Sequence, residues 1–149
     1  NIVAYCFNPN HYHIILEQLV ENGISTFMKR FGGYTMYFNE KYKRSGALFQ
    51  GKYKVKHINS NEYLLHLSAY VNLNNRVHGI PLGDPTSKCQ IRSSWDEYVG
   101  QVKNHFCSKD IVLDQFKTVR EYEKFALDAL ELMQEKKKED KELKSLIMD

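Results

Sequence analysis

The sequence is 149 residues long, with 42% hydrophobic, 26% charged and 13% aromatic residues and a formal charge of +3. That length suits one domain with its own hydrophobic core and excludes a multidomain machine, and the balance of residue types excludes disordered, collagen-like and disulfide-stapled chains. Cys6, Cys89 and Cys107 are odd in number and widely spaced, so neither a disulfide framework nor a cysteine zinc site is expected and a reducing compartment fits.

The apolar run Ile2-Val3-Ala4-Tyr5-Cys6-Phe7 predicts a strand, ended by the turn signal Asn8-Pro9-Asn10. A second strand is expected over His11–Glu17, antiparallel to the first. Residues from about Ile24 to Tyr42 carry Ile24, Phe27, Met28 and Phe31 at helical spacing, with a bend expected at Gly32-Gly33. After Ser45-Gly46 and Gln50-Gly51, the segment Lys52-Tyr53-Lys54-Val55-Lys56-His57-Ile58 alternates charged with apolar or aromatic side chains and predicts a half-buried strand with its lysines on one face. Asn59-Ser60-Asn61 offers an N-cap for a helix from about Glu62 to Asn75, and Gly79, Pro81, Gly83 and Pro85 predict a loop. A division follows: a core over residues 1–80 and a loop and helical extension over 81–149. In the extension, Ser93–Tyr98, Asp110–Phe116 and Thr118 to about Lys138 read as helices, the last opened by a Thr118/Glu121 capping box. The mixed charges from Glu135 to Glu142 read as solvated helix or disorder.

Charge is unevenly placed. Lys29 to Lys56 holds eight basic residues against the single acid Glu40, a local +7, laced with Tyr34, Tyr37, Tyr42, Phe49 and Tyr53. Such a stretch is either a solvated surface over an aromatic core or a surface that attracts phosphate and stacks unpaired bases. No apolar run approaches the roughly 18 to 20 residues of a membrane span, and no signal-peptide pattern opens the chain, so a soluble cytoplasmic protein is expected. There is no phosphate-binding glycine loop, dinucleotide fingerprint, H-E-x-x-H helix or G-x-S-x-G elbow.

The sharpest chemical feature is His11-Tyr12-His13. Strand side chains alternate, so His11 and His13 share a face on which they can hold one divalent ion, while Tyr12 is expected to enter the core. In isolation such a triplet is as compatible with ordinary surface histidines.

Its surroundings carry more. The run Ala4-Tyr5-Cys6-Phe7-Asn8-Pro9-Asn10-His11-Tyr12-His13-Ile14-Ile15-Leu16 resembles the His-hydrophobic-His strand of single-tyrosine HUH transposases, closest to their REP-associated branch. The resemblance continues through Phe27-Met28-Lys29-Arg30 with Tyr34, Gly46-Ala47-Leu48-Phe49-Gln50-Gly51-Lys52-Tyr53, Tyr63-Leu64-Leu65, and Ala69-Tyr70-Val71-Asn72-Leu73-Asn74. It implies an α+β fold of ferredoxin-like type, an antiparallel sheet with helices on one face, whose first strand and helix lie upstream of this sequence. The implied activity is metal-dependent cleavage and rejoining of single-stranded DNA, or of DNA in hairpin-forming repeats, in the cytoplasm and associated with the nucleoid. By motif position Tyr70 is the nucleophile, with His11 and His13 catalytic as metal ligands. Asn74, one helical turn past Tyr70, is implied as a third ligand, a set suited to Mg²⁺ or Mn²⁺. His66, one turn before Tyr70, is left outside that set. Lys43, Arg44, Lys52, Lys54 and Lys56 are the expected contacts to the DNA backbone, and His57 is a weaker candidate. Asn8 stands where relatives often carry methionine, and Asn74-Asn75-Arg76-Val77 where they often carry Asn-Pro-Val-Arg. A DNA-binding module of the same fold without chemistry, or a replication-initiator type of HUH nuclease, are the alternatives; no membrane partner is expected and the oligomeric state is left open.

Overall fold

A computed structural model describes residues 1–80, 91–102 and 106–147, with burial given up to residue 141. The expected loop through Pro81, Gly83 and Pro85 lies outside the described residues, as does Cys89. Two compact units are present: Asn1 with Leu16–His57, and Ile2–Ile15 with Ile58–Asp149.

The second unit starts with a hairpin of β1 (Ile2–Phe7) and β2 (Tyr12–Leu16). Its turn closes through the Asn8 N–H donating to the His11 carbonyl at 2.9 Å. Val3, Ala4 and Cys6 are buried in β1 and Ile15 in β2. The next element of this unit is α2 (Asn61–Asn72), which follows α1 (Gly23–Lys41) of the first unit in the chain. Ser60 caps α2 as expected: its hydroxyl accepts from the Tyr63 N–H at 3.2 Å, and Glu62 lies in the first turn, where the helix dipole favours an acid. The helix stops earlier than its sequence pattern suggests. Leu73 ends α2 and opens a separate turn of helix, α3 (Asn74–Val77), whose Asn74 and Asn75 are buried.

A third strand, β3 (Arg92–Ser93), pairs antiparallel with β1 in the register Cys6 to Ser93 and Phe7 to Arg92, giving the sheet order β2-β1-β3. Ser94 extends the join: its N–H donates to the Tyr5 carbonyl and its hydroxyl accepts from the Tyr5 N–H, both at 2.9 Å. Then come α4 (Trp95–Tyr98), α5 (Asp110–Leu113) and α6 (Val119–Ile147). The capping box of α6 is offset by one residue. Thr118 Oγ1 accepts from the Glu121 N–H at 3.2 Å, while the Glu121 carboxylate reaches back to the Lys117 N–H at 2.8 Å. The charged run from Glu135 is helical and belongs to α6.

Helix α6 packs on α2, and the interface between them is polar at its centre. Ser68 and Asn72 of α2, Tyr122 of α6 and Ser94 are all buried. Asn72 Nδ2 donates to the Tyr122 hydroxyl at 2.8 Å, that hydroxyl lies 3.2 Å from Ser68 Oγ, and Ser94 donates to Asn72 Oδ1. Because Ser68 spends its own proton on the Leu65 carbonyl at 2.7 Å, the Tyr122 proton goes to Ser68 Oγ and every member is satisfied. Such a closed network sets the rotation of α2 about its axis, since a turned helix would leave these groups unpaired in a dry interior. Tyr98 adds a further anchor, its hydroxyl donating to the Val3 carbonyl at 2.9 Å.

In the first unit, Asn1 and Glu17 continue the hairpin ladder with two backbone bonds of 3.0 Å. Helix α1 matches its expected span and runs unbroken through Gly32-Gly33, but none of its residues is buried. Beyond it, Lys43 and Gly46 take positive φ, which turns the chain; Asn39 Nδ2 donates to the Gly46 carbonyl at 2.7 Å and holds that turn. The strand expected over Lys52–Ile58 does not form. Residues 52–57 are exposed and irregular. Alternation makes a segment able to be a strand, but only pairing with a neighbouring strand makes it one; this segment is not part of the sheet, and the second place beside β1 is taken by Arg92–Ser93. The α+β class, the antiparallel sheet and the C-terminal helical segment are as expected; the source of the third strand is corrected.

Candidate functional site

The hairpin, α2 and α3 bring the proposed chemical residues together within the second unit. Along β2 the alternation places His11, His13 and Ile15 on one face, and Ile15 is buried, so this face looks toward α2. Tyr12 points the other way and is half-buried, not a core residue as expected. The Tyr70 ring meets His13 edge-on with centroids 5.4 Å apart, His13 meets His11 at 5.2 Å, and His11 meets His78 at 5.5 Å. Four rings from the hairpin, α2 and the C-cap of α3 thus line one site. The network on the far side of α2 sets which way Tyr70 faces.

Side-chain hydrogen bonds define the state of His11. Its Nδ1 lies 2.7 Å from Asn10 Oδ1, an atom that can only accept, so in the neutral ring the proton sits on Nδ1 and the Nε2 lone pair is free. That lone pair faces Asn8 Nδ2 at 2.9 Å and Asn74 Oδ1 at 3.2 Å. Asn8 Nδ2 also donates to Asn74 Oδ1 at 2.7 Å. Two acceptor atoms from distant parts of the chain therefore converge on one positively polarised NH₂ group. Asn74 itself is fully buried, and its Nδ2 has no hydrogen-bond partner among the described residues, a cost of about 1–3 kcal/mol. The amide keeps its oxygen toward His11 at the expense of its nitrogen.

His13 is held neutral: burial lowers its pKa, and the nearby His11 and His78 rings add to that. Burial first, then Lys137 and His11, also lowers the pKa of His78. Imidazole nitrogens and an aimed amide oxygen are the donor set that a borderline or hard divalent cation accepts, leaving positions for water and phosphate. Among the described residues no three His, Cys, Asp or Glu side chains group as a metal site. His11, His13 and Asn74 nonetheless fit one.

His78 is the residue that sequence reasoning missed. It lies one helical turn beyond Asn74, its backbone N–H donating to the Asn74 carbonyl at 3.1 Å, and that spacing was the available signal. Helix α6 reaches it: Lys137 Nζ lies 2.8 Å from His78 Nδ1 and 3.3 Å from the Val77 carbonyl. His66 is exposed and stands beside Phe125, with ring centroids 5.2 Å apart.

The expected DNA-backbone residues Lys43, Arg44, Lys52, Lys54 and Lys56 lie in the first unit and are exposed, as is His57. The lysines of the 52–57 segment do not share a strand face, because the strand is absent. Aromatic rings are interleaved with these cations. Tyr34, Tyr37, Tyr42 and Tyr53 are each about half exposed, the Lys41 ammonium stands 5.9 and 5.6 Å from the Tyr37 and Tyr42 rings, and the Arg44 guanidinium 5.9 Å from Phe38.

The sequence model of one protein family, the IS200-like transposases, matches residues 1–74. That half of the chain belongs to the single-tyrosine HUH transposases. The matched stretch contains His11, His13, Tyr70 and Asn74, and it ends before His78 and the whole of α6. No curated protein and no solved structure matches the chain. An IS200-like transposase acts on DNA, and no helix among the described residues is long and apolar enough to cross a membrane.

Proposed function

We propose that this transposase domain cleaves and rejoins single-stranded DNA, with Tyr70 as nucleophile and His11, His13 and Asn74 as ligands of Mg²⁺ or Mn²⁺. The observation that carries the reading is the convergence of three imidazoles and one phenol from three separate elements. A divalent ion bound there would neutralise charge on a nonbridging phosphate oxygen and so lower the barrier to attack by an oxygen nucleophile. The Tyr70 hydroxyl forms a bond to phosphorus as the bond to the 3′ oxygen breaks; the phenol loses its proton and the departing oxygen gains one. One phosphodiester linkage is exchanged for another, so a later 3′ hydroxyl can reverse the step on a different strand without an energy source. His13, kept neutral and in edge contact with the Tyr70 ring, orients the phenol.

In this reading residues 1–80 form the catalytic core and residues 81–149 the extension that braces α2. Lys43, Arg44, Lys52, Lys54 and Lys56 hold the DNA backbone and the exposed tyrosines stack its bases, which suits an unpaired strand better than a duplex. The substrate is a hairpin-forming repeat of the REP-associated type, met in the cytoplasm at the nucleoid. The test is a labelled hairpin oligonucleotide incubated with the protein and Mn²⁺. A denaturation-resistant adduct that disappears in Tyr70→Phe is expected. Retained DNA affinity with no adduct would instead identify a binding module without chemistry, and an adduct surviving in Tyr70→Phe would move the nucleophile elsewhere.

A further inference from the structure

The structure assigns Asn8 a place among the cation ligands of this site: we propose that its side-chain amide stands in for the ion when none is bound and turns to offer Oδ1 when one is. This rests on the reading of His11, His13 and Asn74 as ligands and adds a residue from the turn between β1 and β2.

The Asn8 NH₂ group donates to His11 Nε2 at 2.9 Å and to Asn74 Oδ1 at 2.7 Å. A cation bound by those same two atoms needs the space and the electrostatic role that the NH₂ group now fills. Left as it is, the partial positive charge of Asn8 Nδ2 would repel the ion. Rotation about the last side-chain torsion exchanges Nδ2 for Oδ1, turning a competitor into an uncharged oxygen ligand of the type that Mg²⁺ and Mn²⁺ accept.

The rotation has a partner ready for each state. On its other side Asn8 Oδ1 accepts from Cys6 Sγ at 3.6 Å. Cys6 is fully buried, and burial raises its pKa, so it stays a thiol. A thiol sulfur both donates and accepts, so after rotation Asn8 Nδ2 can donate to the sulfur that had donated to Oδ1. Both ends of the Asn8 amide therefore keep a partner in either state.

The experiment titrates MnCl₂ into the DNA-free protein and follows free Mn²⁺ by its electron paramagnetic resonance signal. Wild type, Asn8→Ala, Asn8→Asp and His11→Ala are compared. The turn is closed by the backbone of Asn8, not its side chain, so the Asn8 variants are expected to keep the wild-type circular dichroism spectrum. If Asn8 is a ligand, Asn8→Ala weakens Mn²⁺ binding by about tenfold or more. Asn8→Asp, which supplies a charged oxygen with no competing NH₂, tightens it by about tenfold. Binding in Asn8→Ala equal to or tighter than wild type, with His11→Ala defective, overturns the assignment of Asn8 while leaving the His11 site intact. Absence of saturable binding in the wild type, or its survival in His11→Ala, overturns the site reading and the Asn8 assignment together.

Discussion

Replacing Tyr122 with phenylalanine isolates the polar centre that sets the rotation of α2. The ring keeps its neighbours, with Tyr98 and Phe116 centroids at 5.1 and 5.3 Å, so the apolar packing is preserved. What disappears is one hydroxyl that accepts from Asn72 Nδ2 at 2.8 Å and donates to Ser68 Oγ. Losing a buried acceptor leaves the Asn72 nitrogen dry and unpaired at about 1–3 kcal/mol, and the Ser68 bond adds about 0.5–1 kcal/mol, so we expect a total near 2–3 kcal/mol. Urea unfolding, read through the fluorescence of Trp95, the single tryptophan, measures it directly. The pH dependence supplies an independent check. Burial pushes the Tyr122 phenol up to about 12, against 10.0 for an exposed one. The unfolded state therefore releases its proton first as pH rises, so this contribution is whole below pH 10 and is lost as pH climbs through 12. Its size is on the order of a few kcal/mol. The stability gap between wild type and Tyr122→Phe should thus close between those two values, while the phenol of Tyr98, raised further by burial, destabilises both proteins alike. A gap that is absent at neutral pH refutes the proposed role of the network, and one that stays constant into alkali refutes the burial of the Tyr122 phenol.

Two further outcomes follow from the same structure. Changing Lys52, Lys54 and Lys56 together to glutamine should make the dependence of single-strand affinity on salt shallower by about 2 in log–log slope, about 0.7 for each phosphate no longer neutralised; an unchanged slope would remove these lysines from the DNA surface. Burial first and then Glu97 push the Cys107 thiol up to about 12, so alkylation of Cys107 near neutral pH should be at least about a hundredfold slower in the folded protein than in urea, as read by peptide mass spectrometry; equal rates would contradict its burial.

Much of the local structure is legible without coordinates. The β-branched and aromatic run of β1, the turn at Asn8-Pro9-Asn10, the stripe of α1 and the Ser60 cap of α2 each depend on residues close in sequence, where propensity and periodicity act directly. So does the placing of His11 and His13 on one face; Tyr70 and Asn74 are singled out by the family resemblance, and their four-residue spacing spans the break between α2 and α3. Elements that depend on a distant partner are not legible. Arg92–Ser93 is too short to show a pattern and becomes a strand by pairing with β1; Lys52–Ile58 shows the pattern and is not part of the sheet.

Sequence alone determined the identities and spacing of the candidate site residues, because covalent geometry and helix or strand periodicity carry that information over a few residues. Tertiary structure alone decided their company. His78 beside His11, Lys137 beside His78, and Asn8 between His11 and Asn74 are meetings across turns and helices that no short-range rule encodes. They arise because burying α2 between the hairpin and α6 is favourable only at the rotation that pairs Ser68, Asn72, Ser94 and Tyr122, and that rotation carries Tyr70 to His13.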